Sequence, residues 1–181
     1  MVWGLKISQI HLLKPSMKSN RTTFVKRVYW LLFIIFGMSS GVLLSKNYGL
    51  YCNMTKSFPQ DYFFVKKHFT PHELHKGVLV ALRVDFETPY IDKGKVLLKH
   101  IACDSGDRLT SVGTEFYCNH QRIAIALKED SKGQKMKQFE FDGEIPQGYM
   151  FLTAEHPRSY DSRYFGLLDK NTVEAIGLWR F

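Results

Sequence analysis

The chain changes its hydrophobic period once. From Val28 to Ser45 it reads VYWLLFIIFGMSSGVLLS, 18 residues without a charge, bracketed by Arg27 and Lys46. A helix built from this stretch is apolar on every face, unlike a core helix with one polar side. At 1.5 Å per residue it spans about 27 Å, close to the hydrocarbon thickness of a bilayer. Tyr29 and Trp30 lie at one end and Tyr48 and Tyr51 beyond the other, where rings favour the interface. The expectation is a transmembrane anchor over 28–45, a basic segment over 1–27 and a separate domain over 46–181. A cleaved signal peptide calls for a shorter apolar region and a small-x-small site, and LSKNYGLYC offers no good one. The mildly apolar residues ahead of Met17 are suited to lying on a membrane, and Met17 is an alternative start.

Beyond the span the period becomes that of strands. VLVALRV (78–84), GKVLLKHIA (94–102), EFYCN (115–119), RIAIAL (122–127), QFEFDG (138–143) and GYMFLT (148–153) are short β-rich runs. Turn-formers such as KG, DSGD, SVGT, SKGQ and IPQG separate them, and GDRLTSVGT reads as a connection. These six runs predict a compact, mostly β domain with one core. One helical turn is expected at Thr70-Pro71-His72-Glu73, a capping box with Pro in first position.

Composition, 45% hydrophobic and 23% charged, excludes a disordered or disulfide-dense chain. The net charge of +8 suggests nucleic acid until it is located. Asp61 is the first acidic residue, and eight of the 25 Lys and Arg precede it. The remainder of the chain balances its 17 Asp and Glu. Six of those eight positives precede the apolar segment and two follow it, so the N-terminus is expected to be cytoplasmic. No nucleic-acid partner is implied.

Several motifs point nowhere. GMSSG (37–41) matches the nucleophile elbow G-x-S-x-G, which needs a strand-turn-helix setting, and G-x-x-x-G, through which helices pair. Pairing of anchors through Gly37 and Gly41 therefore stays open. Asn53-Met54-Thr55 fits a glycosylation acceptor only in a compartment that glycosylates. His68, His72 and His75 come closest to a metal cluster, but HELH is one residue short of H-E-x-x-H. No metal or organic cofactor is implied. Lys99 is more informative: alternation sets it with Leu97 and Ile101 on one face of a largely apolar strand. Such a lysine snorkels, pairs with a carboxylate, or loses its proton and can serve as a general base.

Ser57-Phe58-Pro59, Lys99-His100, Gly106-Asp107 and Asp161-Ser162-Arg163-Tyr164-Phe165-Gly166 occur in the order of the type I signal peptidase boxes. The chain resembles that family and, within it, the TraF-type conjugative-transfer branch, whose N-x-T-x-S-x-P is matched by Asn53, Thr55, Ser57 and Pro59. AEHPRSYDSRYFG (154–166) resembles the late box of the same branch. The resemblance implies a signal-peptidase/LexA-like β domain behind one N-terminal transmembrane helix. It implies Ser57 as nucleophile, Lys99 as general base, and Thr55 with the Ser57 amide as oxyanion hole. Ser159 aligns with the hydroxyl that orients the lysine. Asp161 and Arg163, with Ser162 between them, match a bracing pair that could otherwise be an ordinary surface pair. The family usually has Arg where this chain has His100, which weakens any ion pair from there to Asp161 or makes it pH-dependent. Partners implied are membrane lipid and signal-peptide-bearing precursors, a pilin precursor first, with a homodimer through the anchor open. The location implied is a bacterial inner membrane with the domain in the periplasm. In that oxidising compartment Cys103 and Cys118 are a candidate disulfide, although two reduced buried cysteines fit as well. Rival readings are a housekeeping signal peptidase, a LexA-like self-cleaving repressor, which would need a DNA-binding helix-turn-helix in place of the membrane span, and an inactive membrane-tethered assembly factor. The aromatic run Phe58 to Phe64 suits either the bilayer surface or a core.

Overall fold

The computed structural model describes residues 18–54 and 57–181. The segment 1–17, with Met17, and Thr55 and Lys56 lie outside the described residues. A helix, α1, runs Lys18–Asn47. It begins ten residues before Val28 because KSNRTTFVKR holds no Gly or Pro to stop it. From Arg21 to Asn47 it is long and apolar enough to cross a membrane. The hydroxyl of Ser39 donates to the Phe36 carbonyl (2.9 Å), so GMSSG is a helical turn whose serine is satisfied by its own backbone.

The second unit, Leu44–Phe181, is mostly β. Its strands are β1 (Tyr48–Cys52), β2 (Tyr62–Lys66), β3 (Leu79–Arg83), β4 (Val96–Cys103), β5 (Arg108–Val112), β6 (Glu115–Cys118), β7 (Gln121–Ile125), β8 (Asp142–Glu144), β9 (Tyr149–Thr153), β10 (Leu168–Asp169) and β11 (Val173–Arg180). A one-turn helix, α2 (Ser162–Phe165), precedes β10. Seven strands form an antiparallel sheet in the order β1-β2-β11-β3-β4-β9-β10. The chain between β4 and β9 makes a second, four-stranded sheet, β7-β6-β5-β8.

All six expected runs contribute strands, although QFEFDG does so only from Asp142 onward. Among the described residues five more strands form outside those runs, and β2 and β11 bury their own Phe63, Val65, Ala175 and Ile176. The expected connection GDRLTSVGT is β5 at its centre, because Thr110 pairs with Tyr117 on one side and Asp142 on the other. Neighbouring strands, rather than apolar residues, hold it extended. β11 is interrupted by Gly177, where a Cβ would lie 2.6 Å from Leu79 Cδ2. The glycine lets Leu79 close over the strand.

Central β3 shows why the sheet is rigid. Val80 and Leu82 enter one core with Ile101, Leu152 and Ile176, while Leu79 and Ala81 enter another with Phe63 and Val65. Both faces are covered, so the strand reads as a continuous apolar run. Phe58 and Phe63 belong to this second core, which decides the aromatic run in favour of packing at those two positions. A third core, around Phe116 and Phe151, includes Cys103 and Cys118, which are joined in a disulfide with Cα atoms 5.6 Å apart. The bridge fastens the end of β4 to the second sheet.

That bridge closes a loop of sequence separation 15, so Cys103→Ala should cost about 3 kcal/mol by chain entropy. Urea unfolding of the full chain in detergent, with and without reductant, measures it. Equal midpoints in the two conditions contradict the bridge's contribution.

Candidate active site

Ser57 lies in the loop between β1 and β2, and Asn53 gives that loop its shape. The Asn53 side-chain amide donates to the carbonyls of Phe58 and Gln60, both at 2.9 Å, and its backbone N–H reaches the Asp61 carbonyl (2.7 Å). Phe58 is sealed into the core, and the Ser57 carbonyl accepts from the His156 amide (3.0 Å). The serine is therefore held from both sides, with only 8% of its surface exposed.

Lys99 comes from the middle of β4, opposite Val80 in the register, and is 3% exposed. Its Nζ donates to Ser57 Oγ (3.2 Å) and to Ser159 Oγ (2.9 Å), and the two hydroxyls are 3.3 Å apart. Removal from water lowers its pKa to about 8; Asp161 pulls the other way and Arg163 adds to the lowering. An amine in this setting can shed its proton near neutral pH and then accept one from the hydroxyl beside it.

Ser159 is placed by the segment between β9 and α2. Asp161 caps α2 by accepting from the Arg163 amide (3.2 Å). Its carboxylate also binds the Arg163 guanidinium at two points, 2.7 and 2.8 Å, and the Ala154 amide at 3.2 Å. The remaining guanidinium protons go to the carbonyls of Ile125, Pro157 and Ser159. All five donors of the arginine are thus engaged. Asp161 and Arg163 are 0% and 3% exposed, a buried pair rather than a surface one. Ser162 Oγ accepts from the Leu152 amide (2.9 Å) and ties α2 to β9. Sequence reasoning places Ser57, Lys99, Ser159, Asp161 and Arg163, and the structure brings these five together. Thr55 lies outside the described residues.

His100 makes no pair with Asp161, whose carboxylate is taken by Arg163. Its ring meets Phe58 edge-on at 5.2 Å, and its Nε2 lies 3.8 Å from Glu155, which also binds Arg180. Burial pushes its pKa down. Among the described residues, Cys103, Asp107 and Cys118 bring metal-type ligand atoms together, but the two sulfurs are bonded to each other.

A cleft of about 710 Å³ opens beside Ser57 and Lys99. Leu50, Met54, Val96 and Leu98 give it apolar walls, and Tyr90 and Asp92 border it from the β3–β4 connection. That connection carries no motif, and only its fold-back over the cleft reveals it. Asn53 was visible as a motif letter, but its bracing of the Ser57 loop depends on a turn that the sequence does not display.

A family model for signal peptidase, peptidase S26, matches residues 19–181. Ten chains of solved structures match as well. One is the crystal structure of a signal peptidase I from Enterococcus faecalis V583, 23% identical over 56% of this chain and 94% of that chain, with a TM-score of 0.37. No curated protein matches.

The lowered Lys99 pKa has a stability consequence. Between about 8 and the ordinary 10.5 the unfolded chain binds the proton and the folded one does not, so folding strengthens as pH rises through that window. Below about 8 the full cost of burying the ammonium is present. Lys99→Met should therefore unfold later than wild type at pH 7, by up to about 3 kcal/mol, with the gap closing toward pH 10. A gap that stays constant over this range in pH-dependent urea titrations would falsify the assignment of that burial cost to Lys99.

Proposed function

The chain belongs to the S26 family of signal peptidases, and from that premise we propose that it is a membrane-anchored serine endopeptidase with Ser57 as nucleophile and Lys99 as general base. The observation that carries the reading is the buried lysine amine 3.2 Å from the Ser57 hydroxyl, with its pKa lowered to about 8. Neutral Lys99 takes the Ser57 proton as Oγ attacks the scissile carbonyl. The carbon–nitrogen bond then breaks, and the amine product leaves with the proton that Lys99 returns. Water, deprotonated by the same amine, cleaves the acyl–serine ester. Ser159 fixes the lysine amine, while the Asp161–Arg163 pair fixes Ser159. The Ser57 amide and the Thr55 hydroxyl form the oxyanion hole by the family pattern.

The substrate is a signal-peptide-bearing precursor, cut after small residues. It lies extended along the cleft, with Leu50 and Leu98 against its side chains. The TraF-type spacing of Asn53, Thr55, Ser57 and Pro59 supports a pilin precursor of a conjugative transfer system. α1 serves as a single-pass anchor in a bacterial inner membrane, with residues 1–27 cytoplasmic, 28–45 in the bilayer and 46–181 periplasmic. The six-to-two charge asymmetry supports this direction. Exposed Met54, Trp179 and Phe181 suit contact with lipid at the surface. Gly37 and Gly41, each with open space where a Cβ would project, suit pairing of two anchors.

Ser57→Ala and Lys99→Ala should each lower processing of a co-expressed pilin precursor by roughly 10⁴-fold or more, with expression unchanged. If both variants process normally, an inactive assembly factor is the better reading. If both are dead on secretory precursors but wild type ignores the pilin, the housekeeping role is. For wild type, kcat/KM should rise with pH and level off above about 8, because only the neutral amine is a base. A flat profile from pH 6 to 9 removes Lys99 from that role.

A further inference from the structure

Tyr160 sits between the two residues that set the site, Ser159 on one side and Asp161 on the other. Its ring stacks on Tyr164 at 5.2 Å with planes 3° apart, and meets Phe165 edge-on at 5.8 Å. It also meets Tyr90, at 4.7 Å with the rings tilted by 39°. Tyr90 belongs to the β3–β4 connection and borders the cleft. Its backbone is pinned by Thr88 Oγ1, which accepts from the amides of Tyr90 (3.2 Å) and Ile91 (2.8 Å). The Tyr90 hydroxyl donates to Asp130 (3.2 Å), whose carboxylate also holds the amides of Lys132 and Gln134. At the far end, the Tyr164 hydroxyl accepts from the Leu127 amide (2.9 Å).

Three tyrosines thus form a continuous row from the cleft wall to α2, and the middle one is next in chain to the serine that holds the lysine amine. We propose that Tyr160 is a positioning residue for the Lys99 amine, acting through Ser159, and that Tyr90 couples that position to a peptide filling the cleft. The physical basis is directional. Arg163 and the His156 carbonyl hold the Ser159 backbone, but rotation of the 159–161 segment is limited on the cleft side by Tyr160 wedged against Tyr90. A peptide pressed against Tyr90 loads the row toward Tyr164 and keeps Ser159 Oγ on the amine. Without the wedge the hydroxyl can swing away, and a misplacement of about 1 Å is enough to cost on the order of a hundredfold in rate. The aromatic contacts themselves are each modest, so the effect belongs to geometry rather than to stability.

The inference rests on the dyad proposed above and deepens it. The test uses the full chain in detergent micelles and a fluorogenic peptide carrying Ala-x-Ala before the scissile bond. Tyr160→Ala should lower kcat by about tenfold to a hundredfold with KM nearly unchanged. Tyr160→Phe, which keeps the stacked ring, should restore kcat to within about threefold of wild type. Tyr90→Ala, which removes the ring packed on Tyr160 but changes no residue of the 159–164 segment, should lower kcat as well as raise KM. If Tyr160→Ala does not fold, Tyr90→Ala decides: a rise in KM with wild-type kcat overturns the coupling. The proposal is also overturned if Tyr160→Phe is as slow as Tyr160→Ala, or if Tyr160→Ala keeps wild-type kcat. Ser57→Ala, measured alongside, separates the two levels. If it retains activity, the dyad fails; if it is dead while the tyrosine variants run at wild-type kcat, only the row fails.

Discussion

A lysine amine held out of water beside two hydroxyls is the constraint around which the domain is arranged. Desolvation lowers the Lys99 pKa, but a carboxylate nearby would ordinarily undo this by stabilising the ammonium. Asp161 is such a carboxylate, and it does pull the pKa upward. Arg163 answers it: by pairing with Asp161 at two points it supplies an opposing charge, and its net action on Lys99 is to lower the pKa. The pair can therefore serve as a mechanical brace, with Arg163 offsetting part of the upward pull that Asp161 exerts on the lysine. A buried pair of this kind is weak evidence for stability, because desolvation offsets its attraction. Its use here is conformational, since the same guanidinium also grips the carbonyls of Ile125, Pro157 and Ser159.

The sheet supplies the rigidity that the amine needs. β4 is paired to β3 along Val96–His100 and to β9 from His100 onward, so Lys99 projects from a strand anchored on one side beside it and on both sides just beyond it. Its far end is locked by the disulfide and the second sheet. Ser57, in contrast, comes from a loop, and the loop behaves like a scaffold element because Asn53 closes it and Phe58 roots it in the core. Ser159 comes from another loop, fixed by a guanidinium and by an aromatic row. One strand and two braced loops meet at the three atoms that matter.

His100 illustrates how this chain departs from its family's pattern without losing the site. A permanently charged residue after the lysine is replaced by an imidazole that burial keeps neutral more readily. Its ring packs on Phe58, the neighbour of Ser57, so what remains is a ring contact between the loop that carries Ser57 and the strand that carries Lys99. The charge work falls to Arg163 alone.

Much was legible in order and spacing. The apolar segment, the charge asymmetry about it, the alternating runs and the boxes at Ser57, Lys99 and Asp161 are local features, and local chemistry fixes them. β5 was not legible as a strand because pairing on both sides is what holds it extended, and β2 and β11 carry buried apolar residues that only the fold assigns to a sheet. Nor could the sequence decide whether Lys99 snorkels or is buried, or whether Asp161 and Arg163 sit on the surface. Those outcomes depend on contacts 42, 60 and 102 residues apart along the chain, which bring Ser57, Lys99 and Ser159 to one point. Hydropathy and charge are properties of a segment, and the sequence by itself settles them. A shifted pKa and a braced hydroxyl are properties of what surrounds an atom, and only the folded sheets determine that.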